Sequence, residues 1–227
     1  MLSLLRTIGN VWAYVKEMLP LALVALGVLA LCGGWRKKRL TCRGLESPKS
    51  REVMLYFFVA FCAGLAALTL FPNGFWATPG YYLFQPWNWG EVAKYWRPWE
   101  LYPSRADILR WLGELGDVIA PFQEIRRAFA VNRYWLWFML LGNIVMFAPL
   151  GFFPKLLWRR WHWWKSVLVG FCASFTIEFV QFFIGRSSDI DDVILNTAGA
   201  LVGWLLARLV MRLCPGVTAR CQVREVQ

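Results

Sequence analysis

Acid is scarce in this sequence and histidine is nearly absent. The chain has 14 Asp and Glu against 25 Lys and Arg, and a single His, in 227 residues. Charged residues make up only 17% of it, so the apolar stretches between them are too long and too numerous for the one core of a soluble domain. Cysteine is missing from segments 72–134 and 185–192. The six that exist lie in apolar runs (Cys32, Cys62, Cys172) or near basic ones (Cys42, Cys214, Cys221), which excludes a disulfide framework. Internal repeats and low-complexity tracts are also missing, so an inverted-repeat transporter is not indicated. No cleavable secretion signal is evident: the apolar run 19–32 begins far from the first residue and runs into Arg36-Lys37-Lys38-Arg39. Leu29-Ala30-Leu31-Cys32 resembles a lipoprotein box, but Leu31 is too large for its position.

What is present is apolar length. Hydrophobic residues are 58% of the chain and Trp occurs 15 times. Five stretches, near 18–35, 53–71, 134–153, 166–184 and 193–213, have about the 20 residues needed to cross hydrocarbon as helix. The last reaches full length if Arg208 and Arg212 turn their charged heads toward the lipid head groups. The sequence therefore predicts an all-α, polytopic membrane helix bundle with about five transmembrane helices.

Charge gives its orientation. Segment 36–52 carries seven Lys/Arg, segment 154–165 four, and the tail from Arg208 four, with three acidic residues among them all. Five alternating spans put these segments on one side, and the positive-inside rule makes that side cytoplasmic, with the N-terminus out and the C-terminus in. Segments 72–134 and 185–192 then lie outside. Basic residues split among juxtamembrane loops do not make a nucleic-acid face, so the net charge of +11 does not point to nucleic acid. His162 falls in a cytoplasmic girdle with Trp158, Trp161, Trp163, Trp164, Arg159, Arg160 and Lys165. That position excludes a Ser-His-Asp triad or a His-ligated zinc on the outer side. The girdle fits ordinary anchoring at the interface, and anionic lipid binding is its functional alternative.

The domain organisation read from these features is an N-terminal part (1–52), a membrane domain (53–207) with an outer segment (72–133), and a basic tail (208–227). Residues 1–17 show helical spacing of Leu4, Leu5, Ile8, Val11, Trp12 and Val15, which predicts an interfacial helix, with Pro20 near the start of the first span. In the outer segment, Ser104-Arg105-Ala106-Asp107 predicts a helix start. Ile108, Leu112, Leu115, Ile119 and Phe122 continue it as an amphipathic helix to about Pro121. Six Trp in this segment (76, 87, 89, 96, 99, 111) indicate that it lies on the outer leaflet; the alternative is the aromatic core of a small cap.

The polar residues inside the spans carry the functional signal. Glu178 sits in the fourth span, where an ionised carboxylate costs at least about 2.5 kcal/mol unless it is answered. Ser174, Glu178 and Gln181 share one helix face, and Asp192 and Asn196 share another, continued by the small-residue pair Gly199 and Gly203. At 1.5 Å per residue, Glu178 is about 9 Å and Asn143 about 14 Å below the outer ends of their spans. Hydrocarbon satisfies none of these groups, so they are expected to face one another in one outward-opening pocket. Plainer readings exist. Asp189 and Asp192 suit helix capping, Glu178 suits a structural pair with Arg186, and Ser174 suits a bond to its own backbone.

Asn143-Ile-Val-Met-Phe-Ala-Pro149-Leu-Gly151, Ser174-Phe-Thr-Ile-Glu178-Phe-Val-Gln181, Gly185-Arg186, Asp189-Ile-Asp-Asp192-Val193 and Asn196-Thr-Ala-Gly199-Ala-Leu-Val-Gly203 together resemble the VanZ-like family of bacterial membrane proteins. Leu68-Thr-Leu-Phe-Pro72 and Leu83-Phe-Gln-Pro86-Trp87 extend the likeness over about 53–207, with Trp87 where a Phe is usual. The resemblance implies a multi-pass protein of the bacterial cytoplasmic membrane, linked to lower susceptibility to teicoplanin-type glycopeptides. Two classes of function fit the residues. In the enzymatic one, a lipid phosphoester is hydrolysed or its head group transferred, with Glu178 as general base or nucleophile. Arg186 then grips phosphate, Asp192 and Asp189 are candidate ligands for a divalent cation, and Asn143, Gln181, Asn196 and Asp189 orient the head group. In the other class, the same pocket binds lipids or lipid-linked cell-wall precursors without turnover. A channel or transporter has little support in five unbroken spans.

Overall fold

The computed structural model of the chain describes residues 2–86, 88–113, 121–131, 134–186 and 189–225. Trp87 of the Pro-aromatic motif and the second half of the amphipathic pattern (Leu115, Ile119) lie outside these residues. The described elements are α1 (Leu2–Leu31), α2 (Gly33–Thr41), β1 (Leu45–Glu46), α3 (Lys49–Thr69), α4 (Ala77–Tyr82) and α5 (Trp89–Tyr95). A 3-10 turn at Pro98–Leu101 follows, then α6 (Arg105–Gly113), α7 (Gln123–Val131), α8 (Tyr134–Leu157), α9 (Trp163–Phe183), α10 (Ile190–Leu213), α11 (Pro215–Cys221) and β2 (Arg224–Glu225).

Among the described residues, five helices are long and apolar enough to cross a membrane: Trp12–Leu31, Lys49–Thr69, Leu136–Leu157, Trp163–Phe183 and Ile190–Leu213. The fold is an all-α polytopic bundle. Its only described strand pairing is two residues deep, with Leu45 opposite Glu225 and Glu46 opposite Arg224. The expected break between an interfacial helix and the first span is corrected. α1 runs unbroken from Leu2 to Leu31 with Pro20 inside it, and Trp12–Leu31 is long and apolar enough to cross a membrane. Proline removes one backbone donor, but helix on either side of it holds the segment together. One consequence is that Glu17 lies within the first span.

The strand pair, with the Ser50 hydroxyl donating to the Arg220 carbonyl, gathers the loop before α3 and the C-terminal tail at one end of the bundle. The α8–α9 connection lies at this same basic end. Glu52 ties α2 to α3 there, pairing with Arg36 and accepting from Ser47 at 2.5 Å.

α10 is the central helix. Its glycines meet bare backbone: a Cβ on Gly199 would strike Ile144, and one on Gly203 would strike Ala148. From the other side, a Cβ on Gly151 would strike the Ala200 carbonyl. The four-residue steps 144 to 148 and 199 to 203 show α8 and α10 running parallel in matched register, as the small-residue pattern predicts. On the opposite flank, a Cβ on Gly170 of α9 would lie 2.6 Å from the Ala200 Cβ. Leu65, Phe147, Leu150, Ile177 and Ala200 form the core where α3, α8, α9 and α10 meet. The outer face of α9 carries a row of exposed rings, Phe171, Phe175, Phe179 and Phe183, with successive centroids 6.0, 6.4 and 5.0 Å apart. Such a face suits acyl chains, while the opposite face of the same helix buries Ser174, Glu178 and Gln181.

The segment between α3 and α8 packs some of its tryptophans and exposes others. Trp76 and Trp96 pack with Phe71 and Phe75, and Trp96 donates to the Phe75 carbonyl at 2.8 Å. Trp89 and Trp99 stay exposed. Asn88 caps α5, and Ser104 with Asp107 caps α6 in the reciprocal arrangement read from the sequence.

The close approach of α8 and α10 has a direct test. Gly203→Ala should destabilise the protein by about 1–3 kcal/mol. In thermal melts in detergent its midpoint should fall, whereas Gly142→Ala, whose new methyl meets open space, should not lower it.

Candidate functional site

The site begins with the last turn of α9 and the first of α10. α9 ends with the N–H of Ile184 bonded to Val180 and Gln181, and Gly185 takes φ +77, a left-handed turn that suits glycine. The N–H of Arg186 then donates to the Gln181 carbonyl at 3.0 Å. Trp111 of α6 lies over Gly185, 2.8 Å from where a Cβ would stand, so a larger residue is excluded twice over.

Asp189 is the N-cap of α10, and its carboxylate accepts from the N–H of Asp191 at 2.9 Å. Burial raises its carboxyl above the ordinary aspartate value; the Asp191 N–H opposes that, and the charges of Asp191 and Glu124 add to it. The N–H of Asp189 donates to Oε2 of Glu178 at 3.0 Å, which joins the buried acid to the start of the next helix. Asn143 of α8 donates through Nδ2 to the Asp192 carboxylate. Asn196 donates to Ser174 Oγ at 2.8 Å, and the Ser174 hydroxyl reaches the Asp192 carbonyl at 3.5 Å. The expectation that Ser174 would bond its own backbone is therefore corrected: it is wholly buried between α9 and α10 and pins them together. The Arg186 guanidinium donates to the Leu68 carbonyl at the end of α3.

These groups surround one cavity of about 450 Å³, lined by Asn143, Glu178, Gln181, Arg186, Asp192 and Asn196. Of the span residues expected to converge, Asn143, Glu178, Gln181, Asp192 and Asn196 line it and Ser174 does not; Arg186, from the α9–α10 loop, makes six of the seven candidate site residues on the wall. The seventh, Asp189, is not on the wall and acts through its backbone and as a cap. One wall atom lacks a partner among the described residues: Oδ1 of Asn196 is buried with no hydrogen bond. A buried acceptor left open toward a cavity suits a ligand or water donor. For a divalent cation the arrangement is less favourable. No group of three or more His, Cys, Asp or Glu able to hold a metal occurs among the described residues, and both Asp189 and Asp192 already accept from protein donors.

Sequence reasoning missed two sets of residues. Tyr14 and Glu17 of α1, Thr69 at the end of α3 and Asn73 beyond it also line the cavity. The sequence pattern puts Glu17 in an interfacial helix before the first span, whereas the unbroken α1 carries it into the Trp12–Leu31 stretch. The second miss is Asp191, which has no accessible surface. Its carboxylate accepts from the N–H of Phe122, of Glu124 at 2.9 Å and of Ile125 at 3.2 Å. An acid at the start of α7 is the expected complement to free amides, but its sequence distance hides the pairing. Phe122 takes φ +64 to deliver this approach.

The model of the VanZ/LLP1 family matches residues 58–211. No curated protein and no solved structure matches the chain.

Asp191 sets the attachment of the segment that begins α7. Charge-assisted bonds of this kind contribute about 1.5–3 kcal/mol, so Asp191→Ala should speed tryptic cleavage at Arg126 and Arg127 by about thirtyfold. Asp107→Ala, which removes an exposed cap elsewhere, should leave that rate unchanged.

Proposed function

The chain belongs to the VanZ/LLP1 family, and on that premise we propose that it is a multi-pass membrane protein that acts on a phosphate-bearing, lipid-linked component of the cell envelope. Under this reading the recess opens to the outer leaflet and the basic loops lie in the cytoplasm, following the positive-inside rule. The proposed consequence is lower susceptibility to teicoplanin-type glycopeptides, whose lipid tail works at that leaflet.

The observation that carries the reading is the shared recess, with a guanidinium, carboxylates and amides on its wall and the unpartnered Asn196 Oδ1. Arg186 supplies a fixed cation for a phosphate. Its tie to Leu68 holds the side chain at the mouth between α3 and the α9–α10 loop. Glu178, buried and steadied by the Asp189 N–H, takes the proton of an attacking water or hydroxyl. Asn143 holds the Asp192 carboxylate, while Asn196 and Gln181 accept and donate to sugar or phosphate oxygens. Exclusion of water by Phe147 and Ile177 on the inner wall strengthens each of these interactions.

Binding without turnover is the second reading. It is favoured by one observation: the Asp189 and Asp192 carboxylates are already engaged by protein donors, which leaves Glu178 and Arg186 to hold a head group in place. The same experiment separates the two. Purified protein is incubated with candidate lipid-linked phosphates and released head groups are followed by mass spectrometry. Enzymatic action predicts release that Glu178→Gln reduces by at least about a hundredfold while lipid binding persists. Arg186→Gln should weaken lipid binding about tenfold or more. Stable binding with no conversion assigns the recess to the non-catalytic role. Full resistance in cells carrying inserted Glu178→Gln removes Glu178 from the chemistry.

A further inference from the structure

A second hollow lies at the other end of the bundle. A cavity of about 1360 Å³ is lined by Arg43, Arg159, Arg160, Lys165 and Arg224, together with Trp158, Trp161, Leu45 and Val223. Among the described residues, no Asp or Glu is on its wall. None of the five cations forms an ion pair among the described residues.

Interfacial anchors usually spread around a bundle and act one at a time, each reaching the head groups alone. Here they converge from three separate parts of the chain, and the convergence is built. The β1–β2 pairing and the Ser50–Arg220 bond bring Arg43 and Arg224 together. The aromatic floor is fixed to the helices: Trp161 donates to Ser166 at 2.9 Å, Trp204 donates to the Trp161 carbonyl at 3.2 Å, and Trp158 lies 5.9 Å from Trp161. Lys165 sits over the Trp161 and Trp164 rings at 5.9 and 5.4 Å and reaches the Arg160 carbonyl at 3.4 Å. Arg224 is oriented by two bonds to the Ala219 carbonyl.

We propose that this hollow binds the phosphate-bearing head group of an anionic membrane lipid in the leaflet on the basic side. Four guanidiniums and an ammonium, none of them in an ion pair among the described residues, fit a phosphodiester, which guanidinium grips through paired N–H groups. A free phosphate needs far less space than the hollow offers. The tryptophans at the ends of α8 and α9 give the glycerol and first acyl carbons an amphipathic floor at interfacial depth. The site is separate from the Glu178 recess and requires nothing of its chemistry.

The test uses the full chain in neutral detergent, titrated with phosphatidylglycerol or phosphatidylcholine and read by native mass spectrometry. The wild-type protein should retain phosphatidylglycerol about tenfold more tightly than phosphatidylcholine. Arg159→Gln with Arg160→Gln and Lys165→Gln should abolish the preference. Lys37→Gln with Lys38→Gln and Arg39→Gln, which removes as much charge from α2 outside the hollow, should keep it. The charge-retaining set Arg159→Lys, Arg160→Lys and Lys165→Arg should recover most of it, which separates lost binding from lost folding. Equal loss in the α2 variant makes the effect general surface charge and overturns the proposal. An absent lipid preference, combined with pyrophosphate binding that the first variant removes, assigns the hollow to a soluble phosphate and overturns it as well.

Discussion

Between α8 and α10 no side chain separates the two backbones at Gly151, Gly199 and Gly203. In hydrocarbon, apolar side chains gain nothing by leaving lipid for protein, so helices associate through close van der Waals fit and interhelical hydrogen bonds. The glycines supply the fit. Its functional effect is positional, because Asn143 precedes Ile144 by one residue and Asp192 and Asn196 lie on the α10 face that Gly199 continues. Only helices this close let a short asparagine reach across to Asp192.

The two ends of the bundle then do opposite electrostatic work. At one end, buried carboxylates and amides answer one another across α8, α9 and α10, leaving a small polar recess with Arg186 at its edge. At the other, cations that form no ion pair among the described residues gather around a wider aromatic hollow. Neither arrangement is cheap in a membrane protein, and each is held by local covalent economy. A tight left-handed turn at Gly185 and the Asp189 cap connect Glu178 to α10, while a two-residue strand pair closes the basic end. The segment between α3 and α8 is fastened separately, by the wholly buried Asp191 and by Trp111 over Gly185.

Much of this was legible in residue order. Length and hydropathy marked all five spans, since a bilayer imposes one length on every crossing helix. Helix spacing placed Glu178 with Gln181 and Asp192 with Asn196, and the cost of isolated polar groups in hydrocarbon required that they meet. The small-residue spacing anticipated the contact with α8. What stayed hidden depended on partners far apart in sequence. The acid at 191 looks like its neighbours at 189 and 192, yet its carboxylate is the one that holds α7. Pro20 was read by its local preference, but tertiary packing of α1 on α3, with Met18 against Gly64, carries the helix through it. That misreading also left Tyr14 and Glu17 off the recess wall. Ser174 was assigned to its own backbone, as isolated membrane helices favour, and the nearness of Asn196 gave it a better partner.

The central claim is that the recess below Arg186 receives a lipid-linked phosphate. An experimental density map of the full chain in lipid nanodiscs supplied with candidate lipid-linked phosphates addresses it most directly. The account predicts phosphate density within about 3 Å of the Arg186 guanidinium, with head-group atoms reaching Asn196 Oδ1. A map that resolves lipids around the bundle but only water in the recess would contradict it.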